Sequence, residues 1–168
     1  LNLKTEKMSK YSIRYLTTVK NKCIITIRKR DVITMPKTCC IFAAGDYFGD
    51  GRYAENADII IAADAGCLHA KRVGVKPTLY LGDFDSLGYV PDENNVIRSK
   101  PEKDDTDTAL AMAKAAECGC DRIIVCGALG GKRLAHTIAN IQNAAGFAKQ
   151  GIRVLLTDGI TNIEVFSN

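Results

Sequence analysis

The sequence predicts an α/β domain with a mostly parallel sheet, and three observations predict it. Short apolar runs such as Ile59-Ile60-Ile61 and Arg122-Ile123-Ile124-Val125-Cys126 alternate with stretches of helical composition such as Thr108 to Ala116. Turn-forming residues follow those runs, at Gly45-Asp46, Asp64-Ala65-Gly66, Gly82-Asp83 and Gly127. The chain's 168 residues, 46% of them apolar, suffice for one sizeable core.

The elements follow in order. Strands are expected near 39–45, 58–63, 78–81, 96–99, 123–126 and 153–157, with 163–166 as an added edge, and helices near 66–73, 106–118 and 133–150. Pro77-Thr78-Leu79-Tyr80-Leu81 reads as a short apolar strand whose regular pairing ends at Gly82. The Ala-rich stretch after Asp107 is a helix on propensity and runs to about Cys118. Right-handed crossovers between parallel strands turn this alternation into a Rossmann-like three-layer sandwich. No internal repeat or low-complexity tract interrupts it.

Residues 1–37 read as a basic extension and residues 38–168 as the domain itself. Ten Lys or Arg against Glu6 and Asp31 give residues 1–38 a net charge of +8, within a chain whose total is +4, so the remainder is net acidic. Tyr11–Thr18 and Cys23–Arg30 are spaced as a hairpin, with Lys20-Asn21-Lys22 as its turn. A basic run without a recognisable module reads as a leader or extension, with Met8 or Met35 as an alternative start, in preference to a nucleic-acid surface. Few aromatics and an acidic core point away from nucleic acid. The extension's apolar stretches are broken by charge, unlike a secretory signal, and no segment has the length of a membrane span. Seven cysteines lie mostly in expected strands or helix ends, and the C-x-C of Cys118 and Cys120 lacks a zinc-spaced partner. Reduced, buried thiols of a cytoplasmic protein account for them. Neither His69 nor His136 has a nucleophile signature beside it, which leaves triad chemistry without support and His69 a structural role.

Three segments carry chemistry. In Leu81-Gly82-Asp83-Phe84-Asp85-Ser86, two carboxylates two residues apart leave a strand's carboxyl end, where open α/β sheets bind ligands. Acids so crowded repel each other until a cation or a shared proton relieves them, and Mg²⁺ accompanied by phosphates is the usual relief. The alternative is a solvated turn in which the Asp side chains cap backbone N–H groups. In Lys103-Asp104-Asp105-Thr106-Asp107, a second acidic cluster precedes the Ala-rich helix. Capping explains one or two such acids, whereas three acids and a lysine suit a phosphate at the same carboxyl-end crevice. The third segment runs from Gly127 through Gly130-Gly131 to Asn140. Its glycines permit the backbone approach that phosphates need at a helix start. It is neither a Walker A loop nor a G-x-G-x-x-G fingerprint. Arg133, His136, Thr137 and Asn140 recur at i, i+3, i+4 and i+7, a polar stripe opposite Leu134, Ile138 and Ile141.

Taken in order, Asp64-Ala65-Gly66, Gly82 to Ser86, Lys103 to Asp107 and Gly130-Gly131 through Arg133 to Asn140 resemble the catalytic domain of the thiamine pyrophosphokinase family, over about Thr38 to Phe166. The resemblance implies diphosphoryl transfer from Mg²⁺-ATP to thiamine: the thiamine hydroxyl attacks the β-phosphorus and AMP leaves. It implies catalytic roles for Asp64, Asp83, Asp85 and Asp107, with Asp83, Asp85 and Asp107 holding Mg²⁺ and Asp64 against thiamine or the metal. Ser86, Lys103, Thr106, Arg133, His136 and Asn140 are the implied ATP and phosphate contacts. It also implies a cytoplasmic homodimer whose site is completed across subunits by a second, all-β domain.

The sequence departs from the family pattern in two respects. Where the family reads Gly-Gly-Arg-x-Asp-His, this chain inserts Lys132 and carries Ala135 in place of the acid. The chain also ends at Asn168, directly after the first domain. These departures motivate the alternative expectation of a non-catalytic nucleotide-binding domain of the same fold.

Overall fold

A computed structural model of the chain describes residues 11–19, 22–29, 36–85, 87–91, 94–99, 106–131 and 134–167, the first two segments by backbone alone. The chain divides into two units, Leu1–Met35 and Pro36–Asn168. In the first, β1 (Tyr11–Val19) and β2 (Lys22–Lys29) pair antiparallel with Val19 opposite Lys22, the hairpin expected from the spacing. Its turn residues Lys20 and Asn21 lie outside the described residues.

The second unit holds a seven-stranded sheet. Its elements are β3 (Thr38–Phe42), a single 3-10 turn (Arg52–Ala54), β4 (Ile59–Ala63), α1 (Gly66–Arg72), β5 (Leu79–Gly82), β6 (Val96–Arg98), α2 (Asp107–Glu117), β7 (Arg122–Cys126), α3 (Leu134–Ala148), β8 (Arg153–Thr157) and β9 (Asn162–Val165). The spatial order is β6-β5-β4-β3-β7-β8-β9. All neighbours are parallel except β9, which turns back antiparallel on β8 through the tight Asp158–Thr161 turn. The sheet steps outward from β3 through β4 and β5 to β6, then returns through α2 to place β7 on β3's other side.

Alternation along the strands supplies two apolar faces, as strands covered on both sides require. Cys39, Ile41, Ile61, Ile123, Val125 and Leu156 meet Met112 and Ala115 of α2 and Ala144 of α3 on one face. Cys40, Phe42, Ile124 and Cys126 meet Tyr47, Ala54 and Ala70 of α1 on the other. Each large apolar side chain so buried contributes roughly 1.5–3 kcal/mol. The predicted α/β class and three-layer sandwich are therefore present, with α2 and α3 opposite α1.

As expected, β5's pairing ends at Gly82, its last residue, opposite Arg98 of β6. Two features differ from expectation. The 3-10 turn at Arg52–Ala54 was not foreseen. The faces of α3 are also reversed from the expected pattern. Its buried residues are Asn140, Ala144 and Ala148, one small or amide side chain per turn, which lets the helix lie close on the sheet. Leu134, Ile138 and Ile141 instead face outward, at 71%, 48% and 37% exposure.

Candidate active site

Parallel strands deliver their carboxyl ends to one edge, and ligands of open α/β sheets bind where the strand order reverses. Here that point lies between β3 and β7. The two loops leaving it are tied together: Ala43 N–H donates to Cys126 O at 2.8 Å, Gly45 N–H to Gly127 O at 3.0 Å, and Gly131 N–H to the Asp46 carboxylate at 2.8 Å. His69 supports the same loop from α1, its Nε2–H donating to Gly45 O at 2.8 Å. Asn140 supports it from α3, its buried amide donating to Ala128 O at 2.8 Å. Thr137 Oγ1 donates to Gly130 O at 3.4 Å. Asn140, expected as a nucleotide contact, thus has one amide proton engaged in shaping the glycine loop. His136 and Ala135 are exposed beside it.

Next along the edge, β4 and β5 bring in the acids. Asp64 N–H donates to Leu81 O at 2.8 Å, which fixes the residue after β4 against the last turn of β5. A Cβ added to Gly82 would lie 3.1 Å from Asp64 N and Cα, so glycine permits the approach. Gly66 is tighter still, since a Cβ there would collide with the Phe42 carbonyl. The Asp-Ala-Gly segment therefore drives α1 directly under β3. Asp64 and Phe84 hold φ of +48° and +63°, left-handed values that cost a non-glycine residue about 1–3 kcal/mol and gather at functional sites. Phe84 is anchored by burial at 2% exposure, while Asp83 and Asp85 on either side of it in sequence are half-buried and exposed, respectively, and lie close together.

The electrostatics follow from that crowding. Asp85 N–H donates to Asp83 Oδ1 at 3.2 Å. A side-chain hydrogen bond with Asp83 raises the Asp85 carboxyl above the usual range, helped by loss of solvent and by repulsion from Asp83 and Asp64. Asp64 Oδ1 is buried without a hydrogen-bond partner among the described residues. Buried acceptors are rarely left so, and each such exception calls for an explanation.

The helix start of α2 joins from the neighbouring strand. Ser99, directly after β6, donates its N–H to Gly82 O at 2.9 Å and its hydroxyl to Asp107 Oδ1 at 2.8 Å. Asp107 is thereby tethered to the residue that precedes Asp83. Thr106 caps α2, its Oγ1 accepting from Ala109 N–H at 3.2 Å, so that oxygen serves the helix. Ser86, Lys103 and Arg133, with Asp104, Asp105 and Lys132, lie outside the described residues. The linking role of Ser99 was missed in the sequence, because only the pairing of β5 with β6 brings it to Asp107.

The donor set suits a hard cation in a particular way. Among the described residues, no three His, Cys, Asp or Glu side chains converge as a cage. The orphaned Asp64 oxygen and the Asp83–Asp85 pair instead match Mg²⁺, which takes one or two carboxylates and completes its shell with water and phosphate oxygens.

Known proteins resemble this chain in sequence and fold. The family described as thiamin pyrophosphokinase, catalytic domain, matches residues 51–156. The chain is 31% identical over 121 residues to the thiamine pyrophosphokinase of Bacillus subtilis, spanning 68% of this chain but 56% of that protein. It is similar to the crystal structure of a Bacillus subtilis thiamine pyrophosphokinase, with a TM-score of 0.61, 29% identity, and coverage of 72% of this chain and 60% of that one. The corresponding Geobacillus thermodenitrificans structure gives a TM-score of 0.59 at 25% identity, covering 71% of this chain and 59% of that one. Asp64, Asp83, Asp85 and Asp107 all fall within the matched residues 51–156, and the chain belongs to the thiamin pyrophosphokinase catalytic-domain family.

Proposed function

We propose that residues 38–168 form the nucleotide-handling half of an ATP:thiamine diphosphotransferase, and that residues 1–37 take no part in the chemistry. The observation that carries this reading is the buried, unpartnered Asp64 Oδ1 beside the Asp83–Asp85 pair. Asp64 is held by strained and closely packed backbone, and Asp83 and Asp85 by their hydrogen bond to each other. In the reaction, the thiamine hydroxyl oxygen forms a bond to the β-phosphorus of ATP, the bond from that phosphorus to the bridging oxygen of AMP breaks, and the hydroxyl proton is lost.

Each residue has a task within that step. Asp83 and Asp85 hold Mg²⁺, with Asp107 beside them on its Ser99 tether. Bound Mg²⁺ neutralises charge on the phosphates and aligns them. Asp64 offers its free oxygen to the reacting hydroxyl or to water in the metal's shell. In this reading the Gly127–Gly131 loop takes the phosphates, and Ser86, Lys103, Thr106, Arg133, His136 and Asn140 are the nucleotide contacts. Phosphate contacts of this kind are what glycine-rich loops at helix starts provide. The protein works as a homodimer in the cytoplasm, and the cysteines from Cys39 to Cys126, all free, suit that compartment. Among the described residues, no helix is long and apolar enough to cross a membrane.

The test is AMP formation from Mg²⁺-ATP with and without thiamine. AMP that appears only with thiamine supports the reading. Nucleotide binding without thiamine-dependent AMP opposes it.

A further inference from the structure

A cavity on the opposite side of the sheet edge from α2 is not used by the acidic rim. Tyr80 of β5 packs there with Cys67 of α1 and with Phe84 and Leu87 of the loop that follows β5. Between α1, the segment entering β5 and that loop lies a cavity of about 350 Å³, within the range of about 300–1,000 Å³ typical of small-molecule sites. Cys67, Val75, Pro77 and the Tyr80 ring give it an apolar wall. Leu68 and Tyr89 stand at its mouth, 50% and 55% exposed.

Among the described residues that line it, those that carry charge, Lys71 and Lys76, are both cations, and the sequence from Gly66 to Leu81, which supplies most of the wall, contains no acid. Lys76 has an interaction of its own, so the argument rests on Lys71, which is exposed on α1's last turn. Two tyrosine rings, an apolar floor and a cation at the rim are the complement of one ligand chemistry. We propose that this cavity binds a small planar aromatic anion, with its ring against Tyr80 and Tyr89 and its acidic group at Lys71.

The probe is 2-naphthalenesulfonate, titrated into the folded protein and followed by backbone amide NMR shifts. Saturable one-to-one binding is expected, with the shifts concentrated in residues 67–91. Lys71→Glu replaces attraction with repulsion and should weaken binding by about tenfold. Tyr89→Ala should weaken it several-fold, and both side chains are exposed, so the fold survives. Neutral 2-naphthol should bind more weakly than the sulfonate. Ile138→Ser, in the exposed apolar stripe of α3, should change nothing and so controls for nonspecific adsorption. Shifts centred elsewhere, an unchanged affinity in Lys71→Glu, or equal binding of 2-naphthol would overturn the proposal.

Discussion

Ser99 and Asp107 are joined by a 2.8 Å hydrogen bond from hydroxyl to carboxylate, which ties the start of α2 to the end of β6. Because Ser99 also donates its N–H to Gly82 O, one residue links the acid of the helix to the strand that carries Asp83. Removing the hydroxyl in Ser99→Ala should cost about 1 kcal/mol of stability. If Asp107 serves the nucleotide, kcat/KM should also fall by about tenfold, equivalent to about 1.4 kcal/mol. Ser99→Thr, which keeps the hydroxyl, should recover most of both. Thermal melts beside steady-state kinetics separate the two effects.

Asp83 and Asp85 crowd each other, so function and stability should pull in opposite directions there. The Asp85 carboxyl is raised first by its hydrogen bond with Asp83 and then by loss of solvent and by repulsion; Asp85→Asn removes the repulsion and should leave the ligand-free protein at least as thermostable as before. Turnover should drop in Asp83→Asn and Asp85→Asn alike. Parallel losses of stability and turnover would mark these acids as structural instead.

Two glycines make opposite predictions. Gly66→Ala forces a methyl into the Phe42 carbonyl and should destabilise the domain by roughly 3 kcal/mol or more. Gly146 in α3 has nothing within 4 Å of an added Cβ, so Gly146→Ala should stabilise by about 0.5–1 kcal/mol. Chemical denaturation of both variants checks the pair.

Asp158 sets a pH response away from the site. Burial pushes its carboxyl up, but N–H donors from Thr161 and Ile160, at 2.6 and 2.8 Å, outweigh this and hold it below the ordinary value. A lowered carboxyl stabilises the fold above its unfolded pKa, near 3.9, and that contribution is lost as pH falls through the folded value. Asp158→Asn should therefore flatten the acid limb of stability below about pH 4. An unchanged acid limb would show that the turn gains nothing from the charge.

Much of this was legible in the sequence because local signals and global fold agree. Apolar runs such as Ile59-Ile60-Ile61 and Ile123-Ile124-Val125 are buried strands, and the acids after β4 and β5 lie at the edge where parallel strands end. Relations set by tertiary packing were not legible. The outward turn of Leu134, Ile138 and Ile141 reverses the usual amphipathic reading, because Asn140 is drawn inward to Ala128 O and the alanines of α3 give the closer fit to the sheet. The Asp46 bond to Gly131 N–H spans 85 residues and exists only because β3 and β7 are neighbours.

The central claim is that this acidic edge directs a diphosphoryl group, and not a single phosphoryl group, from ATP to thiamine. ATP labelled with ³²P at the β-phosphorus tests it most directly, with products separated after incubation with Mg²⁺ and thiamine. The account predicts label in thiamine diphosphate, unlabelled AMP, and loss of both products in Asp83→Asn. Label recovered in ADP, or no thiamine-dependent transfer by the folded protein, would contradict it.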